Sequence, residues 1–292
     1  MDNLDKATAM DTQALLDRES FIELSARERA VRLLDRGTFR ELIDPFERVV
    51  SPWLKQQGIV TQADDGVVVA KGTIDGQPAV VLGIDGAFQG GSMGEVSAAK
   101  IAGSLELAAE DNRKGVPTRA VILFETGGVR LQEANLGLAA IAEIQAAIVD
   151  LRRYQPVIGI TAGPIGCYGG MSIAAGVCSY LIVTREARLG LNGPQVIEQE
   201  AGVAEFDSRD RGLIWGLTGG LQRYRTALAD VFVDDDAHAV RDVVVTALRE
   251  GRPDACRSER VAGFLHRLSE VPAGQAATAA QVEAIYSKGF KS

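Results

Sequence analysis

Two stretches of the chain share one plan. "RAVILFETGGVRLQE" (119–133) and "QPVIGITAGPIGCYGGMSIAAG" (155–176) each run from an apolar segment through a glycine-rich break to a helix-forming segment. A strand with no polar alternation must be covered on both faces. Such strands separated by helices therefore predict a mostly parallel sheet between helical layers. Paired glycines at each strand end admit either of two purposes. They can leave unpaired N–H groups at a helix start, which suits bound negative charge, or they can simply let a helix pack close to the sheet.

The rest of the chain fits this frame. Residues 1 to about 57 read as helical, "ARERAVRLLDRGTFREL" included, with Val31, Leu33 and Leu34 on an apolar face and Gly37 as a stop. "GVVVAKGTI" and "PAVVLGI" read as strands joined by a hairpin at Asp75-Gly76. A helix from about Ser97 carries Ala98, Ile101, Leu105 and Ala108, and another carries Ile141, Ile144, Ile148 and Leu151. "MSIAAGVC" is a short helix of small residues, "SYLIVT" and "ARLGL" are strands, and 236–250 and 257–288 are helices.

If the two Gly-Gly turns lie on neighbouring strands, the N–H groups of Gly128 and Gly170 aim at one oxygen, with Gly127 and Gly169 allowing close approach. That is the geometry of an oxyanion hole. "GPIGCYGG" has no Lys and no Ser or Thr at phosphate-loop spacing, so a phosphate cradle is disfavoured. "GGSMG" (90–94) matches the G-x-S-x-G pattern of a hydrolase nucleophile, with His266 downstream. However, "DGAFQ" separates it from its strand, and a flexible pocket-lining turn is the alternative. Cys167 reads as a small buried thiol, His238 and His266 as surface residues, and no metal-binding spacing is present. Arg130, Gln132 and Glu133 suit helix capping, with a pocket role open.

Composition narrows the function classes. A net charge of −8 without a basic cluster argues against nucleic acid. No apolar run approaches the roughly 20 residues of a membrane span. The acidic start "MDNLDKATAMDTQ" does not resemble a secretion signal, and three cysteines without a framework suit a reducing, cytoplasmic setting.

Five ordered motifs carry a resemblance: "ARERAVRLLDRGTFREL", "FQGGSMGE", "ETGGVRLQE", "GPIGCYGG" and "LGLNGPQVIEQ". Over roughly residues 25–240 the chain resembles carboxyltransferase β subunits of acyl-CoA carboxylases, within the crotonase superfamily. It is most similar there to the β subunits of biotin-independent malonate decarboxylases. It lacks the four-Cys zinc ribbon of some relatives, and Val129 stands where many have Ala.

The resemblance implies an α/β crotonase-like spiral of ββα units, at 58–240, with helical extensions at 1–57 and 241–292. It implies decarboxylation of a malonyl thioester on an acyl carrier subunit to the acetyl thioester and CO2, through an enolate held in an oxyanion hole. Gly127, Gly128, Gly169 and Gly170 are the expected catalytic residues. Ser92, Met93, Arg130, Gln132, Gly166 and Tyr168 are the expected substrate-binding ones. The implied cofactor is the carrier's phosphopantetheine-type arm, a dephospho-CoA derivative, with no biotin and no metal. A motif set present once implies a second, related crotonase-fold subunit (carboxyltransferase-α-like, the γ subunit), besides the carrier protein and its transferase. Water, Tyr168 and Glu133 are the possible proton donors. The competing readings are biotin-dependent carboxyl transfer, a serine hydrolase using Ser92 with His266, and a carrier-docking subunit without catalysis.

Overall fold

Asp75 and Gly76 both take positive φ, 52° and 72°, as a tight two-residue hairpin requires. They join β2 (Val67–Ile74) to β3 (Gln77–Ile84), and β1 (Arg40–Leu42) lies antiparallel on the far side of β2. Beyond β3 every pairing is parallel. β4 (Arg119–Leu123), β5 (Val157–Thr161), β6 (Tyr180–Val183) and β7 (Val231–Phe232) complete a seven-stranded sheet in chain order. The structure, a computed structural model, describes residues 18–58, 60, 62, 65–133, 135–273 and 277–286. The acidic stretch 1–13 lies outside them.

Alternation along the strands builds two cores. Ala120, Ile122 and Phe124 face α2 (Glu95–Arg113), α3 (Asn135–Leu151) and α4 (Gly170–Val177). Val121 and Leu123 join the core shared with α1 (Ala26–Leu33) and, later in the chain, α8 (Ala237–Glu250). The predicted stripes Ala98–Ile101–Leu105–Ala108 and Ile141–Ile144–Ile148–Leu151 are all buried. Truncating one such Ile to Ala costs about 2–5 kcal/mol. Packing runs across positions 57 and 240: Phe21, Ala26 and Leu33 share one buried cluster with Val240, Val244 and Leu248. No described helix is long and apolar enough to cross a membrane.

The repeating unit is strand, bridge, helix. After β4, Thr126 and Val129 form single parallel bridges, to Cys167 and Met93 respectively, before α3 begins. After β5, Cys167 bridges both Thr126 and Leu189 before α4. After β6 comes Leu189, then α5 (Pro194–Ala201). This is the ββα spiral of the crotonase-like fold, with the second strand of each unit reduced to bridging residues. Its consequence is that the glycine turns of successive units lie side by side.

Several local expectations differ. "TFREL" is not helical but contains β1, because Gly37 (φ +80°) and Asp35 turn the chain back onto the sheet. The Asp35 carboxylate accepts from Thr73 Oγ1 at 2.7 Å and from Gly76 N–H at 2.9 Å. Val31 is turned outward, whereas Leu33 and Leu34 are buried. "ARLGL" makes only the bridges Cys167–Leu189 and Arg188–Gly219, because its polar groups pair with glycine loops rather than with β6. The 257–288 helix is interrupted: a 3-10 turn (Arg257–Arg260) leads into α9 (Val261–Leu268), and α10 (Ala279–Tyr286) follows after a break, with 287–288 outside the described residues. α6 (Arg211–Thr218), whose Asp210 cap accepts Leu213 N–H, and α7 (Gly220–Arg225) are two short helices that the sequence reading leaves unassigned.

Candidate active site

The bridges lace the two Gly-Gly turns together. Thr126 N–H donates to Gly166 O at 2.7 Å, and Tyr168 N–H donates to Thr126 O at 3.0 Å. On the other side Met93 N–H reaches Gly128 O, and Arg130 N–H reaches Met93 O, both at 2.8 Å. In a parallel ladder this register turns the N–H of the intervening residue, Val129, to the opposite edge. That edge faces Gly169: a Cβ built there would stand 4.0 Å from the Val129 nitrogen and 3.3 Å from the Gly128 Cα.

The N–H groups of the two turns differ in whether they have a partner. Gly128 N–H is held by Thr126 Oγ1 at 3.0 Å, Gly127 N–H by Gly90 O at 2.9 Å and Gly169 N–H by Leu191 O at 2.8 Å. Among the described residues, the N–H groups of Val129 and Gly170 have no such partner. Gly170 opens α4, with Gly169 as its N-cap in a glycine-only conformation (φ 63°, ψ −149°). The helix dipole adds positive potential there.

Beside the turns lies a cavity of about 700 Å³ walled by Ser92, Gly127, Val129, Arg130, Gln132 and Glu133, with Val49, Val50, Leu54 and Val60 also lining it. Of the expected substrate-binding residues, Ser92, Arg130 and Gln132 reach this wall. Met93, Gly166 and Tyr168 do not. Met93 is fully buried in the core, and a Cβ on Gly166 would crowd Arg188 O at 2.7 Å. The Tyr168 ring packs against Gly166 and Gly190, its hydroxyl buried without a partner, and burial pushes its pKa up.

Arg130 works as a rivet. Its Nη2 donates to Asp65 O (3.0 Å) and Ser92 O (2.9 Å), and its Nη1 donates to Glu133 Oε1 (2.8 Å). The guanidinium also lies 5.4 Å from the Phe88 ring centroid. Glu133, 3% exposed, uses its other oxygen to accept Glu95 N–H at 2.8 Å, fixing the start of α2. Both Glu133 oxygens are thus engaged within the protein.

The remaining candidates sort clearly. Ser92 Oγ faces Arg130 Nε at 3.4 Å, and Ser92 sits in an ordinary extended conformation (φ −66°, ψ 137°). That is not a strained nucleophile elbow. His266 is exposed on α9 beside Glu270, and His238 is exposed on α8. Cys167 is fully buried, and burial holds its thiol well above the ordinary pKa. Among the described residues no group of His, Cys, Asp or Glu is placed to hold a metal ion.

Sequence reasoning missed Thr126, the Val129 N–H and Glu125. The bridge parity at Val129 is the signal for its unpartnered N–H, and it needs the neighbouring strand to be known.

The carboxyl transferase domain signature matches residues 22–249. The chain belongs to the carboxyl transferase family. This carboxyl transferase chain is 38% identical to the malonyl-S-ACP:biotin-protein carboxyltransferase of Malonomonas rubra, over 87% of its own length and 83% of that relative's. A crystal structure of a Pseudomonas malonate decarboxylase hetero-tetramer in complex with malonate contains a chain 66% identical to it. The superposition has a TM-score of 0.90 and covers 94% of this carboxyl transferase chain and 100% of that chain. The Pseudomonas MdcD–MdcE hetero-dimer of malonate decarboxylase matches at 61% identity and TM-score 0.75, over 88% and 99% of the two chains.

Proposed function

We propose that this chain is the β subunit of a malonate decarboxylase, releasing CO2 from a malonyl thioester. The observation that carries the reading is the pair of unpartnered N–H groups, Val129 and Gly170, brought together across Gly128 and Gly169. The identity of 66% to a chain of the Pseudomonas malonate decarboxylase supports the substrate class.

The thioester carbonyl oxygen seats against these two donors. The bond between the carboxylate carbon and the α-carbon breaks, CO2 departs, and the electron pair moves into an enolate with its charge on that oxygen. Aimed donors stabilise this charge where it develops, and one such donor is worth about 100- to 1,000-fold in rate. With Glu133 held by Arg130 and by Glu95 N–H, and Tyr168 turned from the cavity wall, we assign reprotonation of the α-carbon to water.

A phosphopantetheine-type arm on the carrier supplies the thioester. The cavity fits such an arm in character, with Val49, Val50 and Leu54 for its apolar parts and Gln132 for its amides. We assign the rest of the complex to a related crotonase-fold subunit, an acyl carrier protein and an acyl carrier transferase, in the cytoplasm. Leu131, Val60, Val49 and Val50, all exposed and all lining the cavity, form an apolar group whose exposure supports coverage by another subunit.

Gly170→Pro tests the donor. Pro is favoured at the first position of a helix, so α4 is retained while the N–H is lost. The expected result is a loss of turnover of at least about 100-fold in the reconstituted complex. Gly170→Ala keeps the N–H, but its Cβ would stand 2.9 Å from Cγ2 of the buried Ile141, so it retains the donor at the cost of a shift in the packed core. A folded Pro variant with native turnover overturns the assignment. A second reading, carboxyl transfer to biotin, is favoured by the Malonomonas rubra relative. Strict dependence of CO2 release on a biotinylated protein would select it.

A further inference from the structure

Glu125 is a carboxylate that the chemistry above leaves unused, yet it touches both glycine turns. Its backbone leads directly into Thr126, Gly127 and Gly128. Its side chain crosses to the other unit, where Oε1 accepts the N–H groups of Ile165 at 2.6 Å and Gly166 at 3.1 Å. Oε2 accepts from Arg29 Nη1 at 3.2 Å. Arg29 is anchored in turn, donating from Nε to Phe21 O at 2.8 Å and from Nη2 to Ile22 O at 2.7 Å. Both side chains are more than nine-tenths buried.

The surroundings are cut to admit this carboxylate. A Cβ on Gly163 would fall inside the van der Waals radius of Glu125 Oε2, and one on Gly86 would stand 2.6 Å from its Cγ. A Cβ on Gly91 would collide with the Glu125 carbonyl oxygen. Three glycines in two separate loops thus leave room for one residue.

We propose that Glu125, through the side-chain oxygen that accepts the Ile165 and Gly166 N–H groups, is a positioning residue that sets the spacing between the Val129 and Gly170 donors. This rests on the oxyanion-hole reading above. One residue belongs to the first turn through its main chain and grips the loop leading to the second through its side chain. The two turns therefore cannot separate without breaking bonds to a buried charge. Misplacing a reacting group by about 1 Å costs on the order of 100-fold in rate, so a clamp at this point acts on kcat rather than on binding.

Removing Glu125 alone would strand a buried guanidinium, which is strongly destabilising in itself. The test therefore compares two double variants in the reconstituted complex. Arg29→Met with Glu125→Gln removes both charges and keeps an oxygen for the Ile165 and Gly166 amides, and it is expected to keep native kcat. Arg29→Met with Glu125→Leu removes the charges and the clamp. Its kcat is expected to fall about 100-fold with KM unchanged, and amide hydrogen exchange at Ile165 and Gly166 is expected to accelerate. Equal kcat in the two folded doubles overturns the proposal, and so does a KM rise that accounts for the whole loss.

Should either double fail to fold, hydrogen exchange on the native complex still decides. Slow exchange at Ile165 and Gly166 is expected, and fast exchange there overturns the clamp. Failure of the native complex to release CO2 from malonyl carrier would instead overturn the decarboxylase reading and leave the exchange result standing.

Discussion

Gly128 and Gly169 face each other so closely that a Cβ on Gly169 would stand 3.3 Å from the Gly128 Cα. Gly169 also has φ 63° and ψ −149°, a region that is essentially glycine's alone. Gly169→Ala is therefore expected to destabilise by about 1–3 kcal/mol and to spread the two donors. Thermal unfolding and kcat should both fall, and a variant with native values of both would show the approach to be incidental.

Thr126 Oγ1 is the acceptor that holds Gly128 N–H, in a position without solvent access. Thr126→Val keeps the shape and removes the acceptor. The expected cost is about 1–3 kcal/mol of stability, the penalty for a buried donor left unmade. Thr126→Ser should recover most of it in urea denaturation.

Ser92 has Arg130 as its side-chain neighbour, and His266 pairs with Glu270 on an exposed helix. A fluorophosphonate probe is expected to leave Ser92 unlabelled in the active complex. Stoichiometric labelling there, detected by mass spectrometry, would restore the hydrolase reading.

Cys178 is fully buried, and that burial pushes its thiol up to about 12. In the unfolded chain the same thiol ionises near its ordinary value of about 8.5. Between these values the unfolded state has released a proton that the folded state keeps. The stability contributed by the neutral thiol is thus present below about pH 8.5 and is lost as pH rises, at up to about 1.4 kcal/mol per unit. Cys178→Ala is expected to flatten the alkaline decline of unfolding free energy. An unchanged slope would count against a titrating buried thiol.

Much of the architecture was legible because it rests on local periodicity. The apolar runs of β2 to β6 and the three- and four-residue stripes of α2 and α3 each bury what their pattern requires. Short elements without a strong period were not legible. β1 forms because Asp35 and Gly37 turn the chain back, and "ARLGL" is consumed by bridges to the glycine loops. In "GPIGCYGGMSIAAG" the small residues serve different ends. Gly169 permits close approach of the two turns, and Ala174 and Ala175 pack α4 into the core. A Cβ on Gly176 would meet open space, so its smallness has no packing role.

By itself the sequence determined that two strand–glycine–helix units exist and that their helix starts carry few side-chain functions. Only the tertiary structure decided which N–H groups are free. Gly128 N–H donates to Thr126 Oγ1, whereas Val129 N–H is left without a partner because pairing with Met93 points every second N–H the other way. Likewise Glu125 reads in sequence as one acidic residue beside a glycine pair, and becomes a link between turns only where Ile165, Gly166 and Arg29 surround it. A backbone donor is defined by which partner it lacks, and that is a property of neighbours distant in the chain.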